Sequence, residues 1–274
     1  MTSIGANAQY FTGPVSSSMG GGGRGGAEPE LILMNPAIVA HSPTFTYDIY
    51  YMDGYLAPSE HQTSWGLQFT DNTPGIMVPG TIAYINNRRT FLNLPSAKEE
   101  YWNLSMGNFV YEHLSLGLSL YLLSQDVDNG SNHNQFNIRL GAHYNPHPEW
   151  GFGLTLGNFL GASDTIPDYL KLNPEVGLGL NYLFGKYLKL KLDVVYPKLL
   201  NPDKKVTSHW GLESMFSRYI SFRFGVEKNP IADRTYVTTG FGFNGPRLNI
   251  NYSIKKLTRG LGGAMHGVDF QLSF

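Results

Sequence analysis

The chain is predicted to be all-β: a single transmembrane antiparallel β-barrel, fourteen strands around, with an N-terminal plug segment. Three observations carry this. Apolar residues recur at every second position through most of the chain. The fourteen segments that do so are joined by connections that alternate between short and long. The composition is poor in charge, 15% against the ~25% of a soluble domain, and rich in glycine, with 32 among 274 residues. No run of about 18 apolar residues exists, which excludes membrane helices but not strands. The formal net charge of -1, without any long basic run, argues against a nucleic-acid partner. The absence of cysteine removes disulfides, thiolate chemistry and Cys-ligated metals together.

The first residues, Met1 to Thr12, lack a basic start followed by an apolar core. Either the chain is cytosolic or a signal peptide has been removed; the pattern downstream decides, and it favours removal. Residues 1–42 are expected to form the glycine-rich hatch or plug. Gly20, Gly22 and Gly25 superficially match a dinucleotide fingerprint, yet no strand precedes them and no phosphate-loop lysine follows. Glycine here is better read as backbone that can turn tightly.

Residues 43–274 are expected to be the barrel. Leu188 to Tyr196 places leucine, valine and tyrosine on one face, with Lys189, Lys191 and Asp193 on the other; a helix would scatter them. Leu114 to Leu122 has leucine at every second position, and Ile220 to Glu227, Leu248 to Lys255 and Gly267 to Phe274 read the same way. The expected strands are 43–52, 62–70, 76–86, 101–111, 114–124, 134–144, 149–159, 176–184, 187–196, 207–216, 219–227, 235–243, 246–254 and 266–274. Fourteen is even, as bacterial outer-membrane barrels require. Connections near 53–61, 87–100, 125–133, 160–175, 197–206, 228–234 and 255–265 read as the longer, external ones. A soluble sandwich also alternates. Here, however, the polar face is glycine, serine, asparagine and isolated charge instead of abundant Lys and Glu, and each segment is long enough to cross a bilayer with tilt.

The register puts Arg139, Lys189, Lys191, Asp193, Glu213, Arg223, Glu227 and Asp269 in the lumen. They read either as a selectivity lining or as a paired network that anchors residues 1–42, and their mixed signs favour the network. Arg24, Glu28 and Glu30 are the expected hatch contacts. Pro79-Gly80 interrupts the third expected strand and is a candidate wall kink, because proline cannot donate to the ladder and glycine weakens it. His143 and His147 are four apart, but Asn145-Pro146 and Pro148 break any helix, so both read as turn residues and no metal site is expected. Ser208-His209 cannot act as a catalytic pair by adjacency, since neighbouring strand residues face opposite sides. Neither His-Glu-x-x-His nor Gly-x-Ser-x-Gly occurs, and no enzyme activity and no cofactor are expected.

The Gly20 to Gly26 segment, the acidic linker after it, Asn35-Pro36-Ala37, the fourteen strands and the terminal Phe274 together resemble FadL-like outer-membrane proteins and their PorV-type relatives. The resemblance spans nearly the whole chain, and its two motif-like parts are the Asn-Pro-Ala box and the C-terminal aromatic. It implies a Gram-negative outer-membrane location and an N-terminal hatch that includes Arg24, Asn35, Pro36 and Ala37. It further implies passive passage of small hydrophobic molecules, with a side exit where the third strand is kinked. The PorV-type relatives imply the alternative of a sealed scaffold that works through homo-oligomerisation, lipid contact or docking of envelope partners. Outer-membrane lipids, a second copy of the chain and a small hydrophobic ligand are the expected partners.

Overall fold

The computed structural model describes residues 12–196, 205–259 and 263–274. Strands β1 (Phe45–Ala57), β2 (Glu60–Asp71), β3 (Gly80–Phe91), β4 (Ala97–Tyr111), β5 (Leu114–Val127), β6 (Asn132–Tyr144) and β7 (Trp150–Gly157) make half of one sheet. The other half is β8 (Glu175–Phe184), β9 (Leu188–Tyr196), β10 (Thr207–Met215), β11 (Ile220–Asn229), β12 (Arg234–Asn244), β13 (Leu248–Leu257) and β14 (Ala264–Ser273). Each strand pairs antiparallel with its sequence neighbours, and β1 pairs with β14 from Thr46↔Ser273 to Gly54↔Met265. The ring is thus a closed barrel of fourteen strands, as the alternation predicts. Phe45 and Phe274 exchange backbone hydrogen bonds at the seam. Closure matters because hydrocarbon offers no partner for an unpaired amide, and a ring leaves no edge.

Alternation sorts the side chains. Outward positions carry Trp65, Ile82, Trp102, Phe136, Leu154, Leu178, Trp210, Phe222 and Phe241, all exposed. Inward positions are dominated by Gly, Ser, Thr, Asn, Gln and paired charge. An apolar jacket over a polar interior is the inverse of a soluble protein and is what a bilayer selects.

The strands run further than expected at one end. Connections expected over 53–61, 87–100 and 125–133 are mostly ladder, and Pro58-Ser59 alone separates β1 from β2. The extra rungs are held by inward polar groups: Arg89 bridges Glu60 at 3.2 Å and Glu99 at 3.7 Å, and Gln125 Nε2 donates to Glu99 at 3.0 Å. Apolar alternation fades there while backbone pairing continues. The connection 158–174 stays long, and the one over 197–206 lies largely outside the described residues.

Leu154, at the middle of β7, faces outward. Leu154→Arg is expected to destabilise the protein by about 2–4 kcal/mol in a bilayer, measured by denaturant unfolding in lipid vesicles. A loss under a few tenths would place β7 away from lipid.

Candidate functional site

The described part of the N-terminal segment lies inside the barrel and is laid against the wall as a girdle. It begins with α1 (Pro14–Ser18), which packs on β12, β13 and β14. Its free amide ends are satisfied by Glu30, whose carboxylate accepts from Val15 N and Ser16 N, both at 2.8 Å. Two 3-10 turns follow, Pro29–Leu33 and Pro36–His41. Leu31, Ile32, Met34, Ile38 and Val39 form a small core of the segment's own.

The wall receives this girdle on rows of glycine. Gly107, Gly117 and Gly141 are successive register partners on β4, β5 and β6; the Pro36-Ala37 backbone rests on the first two and the Asn35 and Pro36 side chains on the third. Gly153 and Gly179 pair across β7 and β8 beneath Arg24 and Gly25. Gly211 and Gly225 pair across β10 and β11 beneath Met19 and Gly20. A Cβ at Gly117, Gly141, Gly153 or Gly225 would fall on plug atoms, so the wall is stripped of side chains where the plug backbone runs. Gly20 itself has φ +72°, and a Cβ there would lie 2.6 Å from Val226 O. Both the left-handed backbone and the close approach require glycine at this position.

Charge fastens the girdle. Asp193 Oδ2 accepts from Gly23 N at 2.9 Å, from Arg24 N at 3.0 Å and from the Arg24 guanidinium at 3.2 Å. Arg24 Nε donates to Thr155 Oγ1 at 3.1 Å, and Glu175 lies between Arg24 and Arg139. Arg139 also donates to Leu33 O. Glu28 bridges Lys189 at 2.8 Å and Lys191 at 2.9 Å; Lys189 continues to Glu213, Glu213 to Arg223, Arg223 to Asn251 and Asn251 to Asp269. Burial opposes the charge on Glu28, but the two lysines outweigh it and hold the carboxyl well below the usual range. Glu227 pairs with Lys255 at 2.7 Å. Arg139, Lys189, Lys191, Asp193, Glu213, Arg223 and Glu227 each make an ion pair on the inner face of the wall, several of them with the plug, while Asp269 accepts from Asn251 instead of pairing with a cation.

Asn35 explains the Asn-Pro-Ala box. Its Oδ1 accepts from Ala37 N and caps the second 3-10 turn, while its Nδ2 donates to Arg24 O at 2.9 Å and Ala142 O at 3.1 Å. Pro36 opens that turn, where a missing N–H costs nothing.

Two expected positions are corrected. Pro79 precedes β3 and Gly80 is its first residue, so neither kinks mid-wall. The wall is instead cut back: Gly80 pairs with Met106, Gly107 N reaches Pro79 O, and β4 then runs on to Tyr111 beyond the start of β3. The exposed Ile76, Met77, Val78, Phe109 and Val110 surround this step. His143 is not a turn residue but an inward position of β6. Its Nδ1 meets His41 Nε2 at 3.0 Å, and its Nε2 meets Gly25 O at 3.1 Å. His41 also meets Ser115 Oγ at 3.0 Å and stacks edge-on against Phe109. His147 lies in the connection after β6. Among the described residues no group of three or more acidic or histidine side chains has a metal-site arrangement.

Sequence reasoning missed the apolar part of the lumen. Tyr50, Gly66, Ile85, Tyr101 and Leu123 are successive register partners from β1 to β5. Tyr50, Ile85, Tyr101 and Leu123 form one buried cluster with Met52, Ala83, Tyr121 and Met265, which also takes in Leu33 of the plug and Leu172 of the 158–174 connection. That connection is tucked into the mouth: Leu170 O accepts from Gln135 Nε2 at 2.8 Å, and Leu172 N donates to Gln135 Oε1 at 3.0 Å. The available signal was broken alternation, as in Ile49-Tyr50-Tyr51-Met52 and Leu120-Tyr121-Leu122-Leu123, where both faces of a strand are apolar.

A lipid-jacketed closed barrel whose lumen holds its own N-terminal segment is a plugged transmembrane β-barrel. No family model and no curated protein matches the sequence. Solved structures do. The chain is similar to the CymD monoaromatic hydrocarbon channel (TM-score 0.73, 13% identity, covering 96% of this chain and 97% of that one). It is similar also to the Ralstonia pickettii toluene transporter TbuX (0.66, 14%, 98% and 99%) and to a Pseudomonas aeruginosa FadL homologue (0.59, 13%, 97% and 98%). At these identities the likeness is one of fold, and the fold is the FadL-like barrel that the sequence resembles.

Two outcomes test the girdle. Gly117→Leu is expected to cost about 1–3 kcal/mol by overpacking and to raise amide hydrogen exchange at residues 35–37; unchanged exchange would remove the glycine rows from plug seating. Burial, with the His143 ring second, holds the His41 imidazole down from 6.5 to about 4. Seating selects the neutral ring, so the contribution of His41 is complete above about pH 6.5 and fades as pH falls toward about 4. Exchange at residues 36–41 is expected to rise between about pH 7 and pH 5, and less so in His41→Asn.

Proposed function

We propose that the protein is a channel of the bacterial outer membrane through which small hydrophobic molecules diffuse passively. One observation carries the reading: the inward apolar row Tyr50, Ile85, Tyr101 and Leu123, which crosses five strands of an otherwise polar lumen. Water-filled pores line themselves with polar groups throughout. A solute that dissolves poorly in water gains by following an apolar surface instead, since each square ångström of apolar area removed from water is worth about 25 cal/mol. The likeness to channels described as carrying monoaromatic hydrocarbons and toluene supports the same solute class.

In this reading the short-turn end faces the periplasm and the 158–174 connection lies at the outer mouth. Solute enters past Leu170 and Leu172, follows the β1–β5 wall and leaves near the cut-back step beside Pro79. There Ile76, Met77 and Val78 offer an apolar exit. The charged networks on β6 to β14 hold the plug and take no part in selecting the solute.

The test is uptake of radiolabelled toluene and of a sugar by cells carrying the protein in their outer membrane. Toluene uptake is expected to rise several-fold over cells lacking it, with sugar uptake unchanged. Ile85→Asn is expected to reduce the toluene gain several-fold while the barrel keeps its heat-modifiable gel shift. Equal gains for toluene and sugar, or none for either, would sink the reading.

A further inference from the structure

The last turn of the plug meets the wall through two imidazoles. His41 Nε2 lies 3.0 Å from His143 Nδ1, on β6, and 3.0 Å from Ser115 Oγ, on β5. The surrounding hydrogen bonds assign the protons. His143 Nε2 faces Gly25 O at 3.1 Å, an acceptor only, so that nitrogen carries the ring proton and Nδ1 keeps its lone pair. Ser115 Oγ donates to Ala37 O at 3.0 Å, so it too turns a lone pair toward His41. A single proton, on His41 Nε2, therefore stands where three ligand-type atoms converge.

The spacing is that of neighbouring ligands on a metal ion. Two ligands at right angles, with bonds of about 2.1 Å, stand about 3.0 Å apart, whereas the tetrahedral angle of zinc would hold them about 3.4 Å apart. Imidazole nitrogen and neutral oxygen at right angles suit nickel or copper in tetragonal or octahedral geometry. His143 also has the outer support of a ligating histidine: its far ring nitrogen donates to a backbone carbonyl, which fixes the tautomer and the ring's orientation. Phe109, edge-on to His41 with ring centres 4.7 Å apart, steadies the second ring. Ser115 and His143 are each second from the short-turn end of their strands, and His41 is half-buried. An ion can therefore reach the pair from that mouth and keep water on its remaining positions.

We propose that His41, His143 and Ser115 form a binding site for a divalent transition-metal cation, nickel(II) or copper(II), which pins the last turn of the plug to β5 and β6. The ion takes the place of the proton on His41 Nε2; that proton moves to Nδ1 of the same ring, and none is released. One ligand comes from the plug and two from the wall, so the ion favours the seated plug and by linkage stabilises it. Two imidazoles and a hydroxyl suit an ion that comes and goes more than a resident one. His147, in the connection after β6, takes no part.

The experiment titrates NiCl2 into the untagged full chain in detergent, following binding by calorimetry and plug seating by amide hydrogen exchange at residues 36–41. One equivalent is expected to bind and to slow that exchange several-fold. Affinity is expected to fall at least about tenfold in His41→Asn and in His143→Asn, since losing a ligand costs no less than the roughly 10–100-fold that follows loss of an outer-shell partner. It is expected to stay unchanged in His147→Asn. The heat-modifiable gel shift confirms folding of each variant, and His41→Asn, altered in the plug alone, keeps the test decisive should His143→Asn not fold. No saturable binding by the unaltered protein, or full affinity kept in His41→Asn, would overturn the site. Binding that leaves exchange at 36–41 unchanged would overturn the pin.

Discussion

In hydrocarbon every backbone amide needs a partner within the protein, and the rest of the structure follows from that requirement. It forces the sheet to close, and closure by fourteen strands leaves an interior that wall side chains alone do not fill. The N-terminal segment fills it, and the fit is made chiefly by removing side chains from the wall. Glycine in a strand is normally a weakness. Here Gly107, Gly117 and Gly141, Gly153 and Gly179, and Gly211 and Gly225 spend that weakness where a second backbone must approach. The ladder supplies enough pairing on either side to tolerate it.

The buried charges obey a similar logic. An ion pair in a low-dielectric interior contributes little net stability, but removing one partner leaves a costly unpaired charge. Arg24 with Asp193, and Glu28 with Lys189 and Lys191, therefore define where the plug sits more than how firmly the barrel holds together. Displacing the segment would strand Asp193 and Lys191 at once and leave Lys189 with Glu213 alone. Glycine rows set the path of the plug, and these pairs set its register along that path.

Much of this was legible in the sequence because a strand reports its orientation residue by residue. Period-two alternation was enough to place Arg139, Lys191, Asp193, Glu213 and Arg223 inside, and to count fourteen strands. It failed where the two faces stop differing. The rungs around Glu60, Arg89 and Glu99 looked like loop because their inward groups are charged and paired with one another. Tyr50, Tyr101 and Leu123 were hidden for the opposite reason, both faces being apolar. His143 looked like a turn residue because prolines follow it at 146 and 148, yet β6 reaches Tyr144 before they act. Which glycines carry the plug was beyond reach, since that depends on register partners far apart in the chain.

The two halves of the lumen differ in kind, and the difference bears on how a solute could pass. From β4 round to β12 the plug backbone is inlaid on the wall, and moving it would uncover bare glycine and unpaired charge. Against β2 the contact is a side-chain one, Gln68 Nε2 donating to Pro29 O at 2.9 Å. The apolar row lies on that same side, from β1 to β5, in one cluster with Leu33 and Leu172. Leucine side chains over an apolar wall are held by packing without directional bonds, and an apolar solute replaces the contacts that it breaks. A path between plug and wall on this side therefore needs rotamer motion of Leu33 and Leu172 and, where the loop moves, loss of its hydrogen bonds to Gln135, but of no buried ion pair. Expulsion of the plug would need the loss of several buried ion pairs together, so a passive channel built on this barrel is expected to keep its plug seated while it conducts.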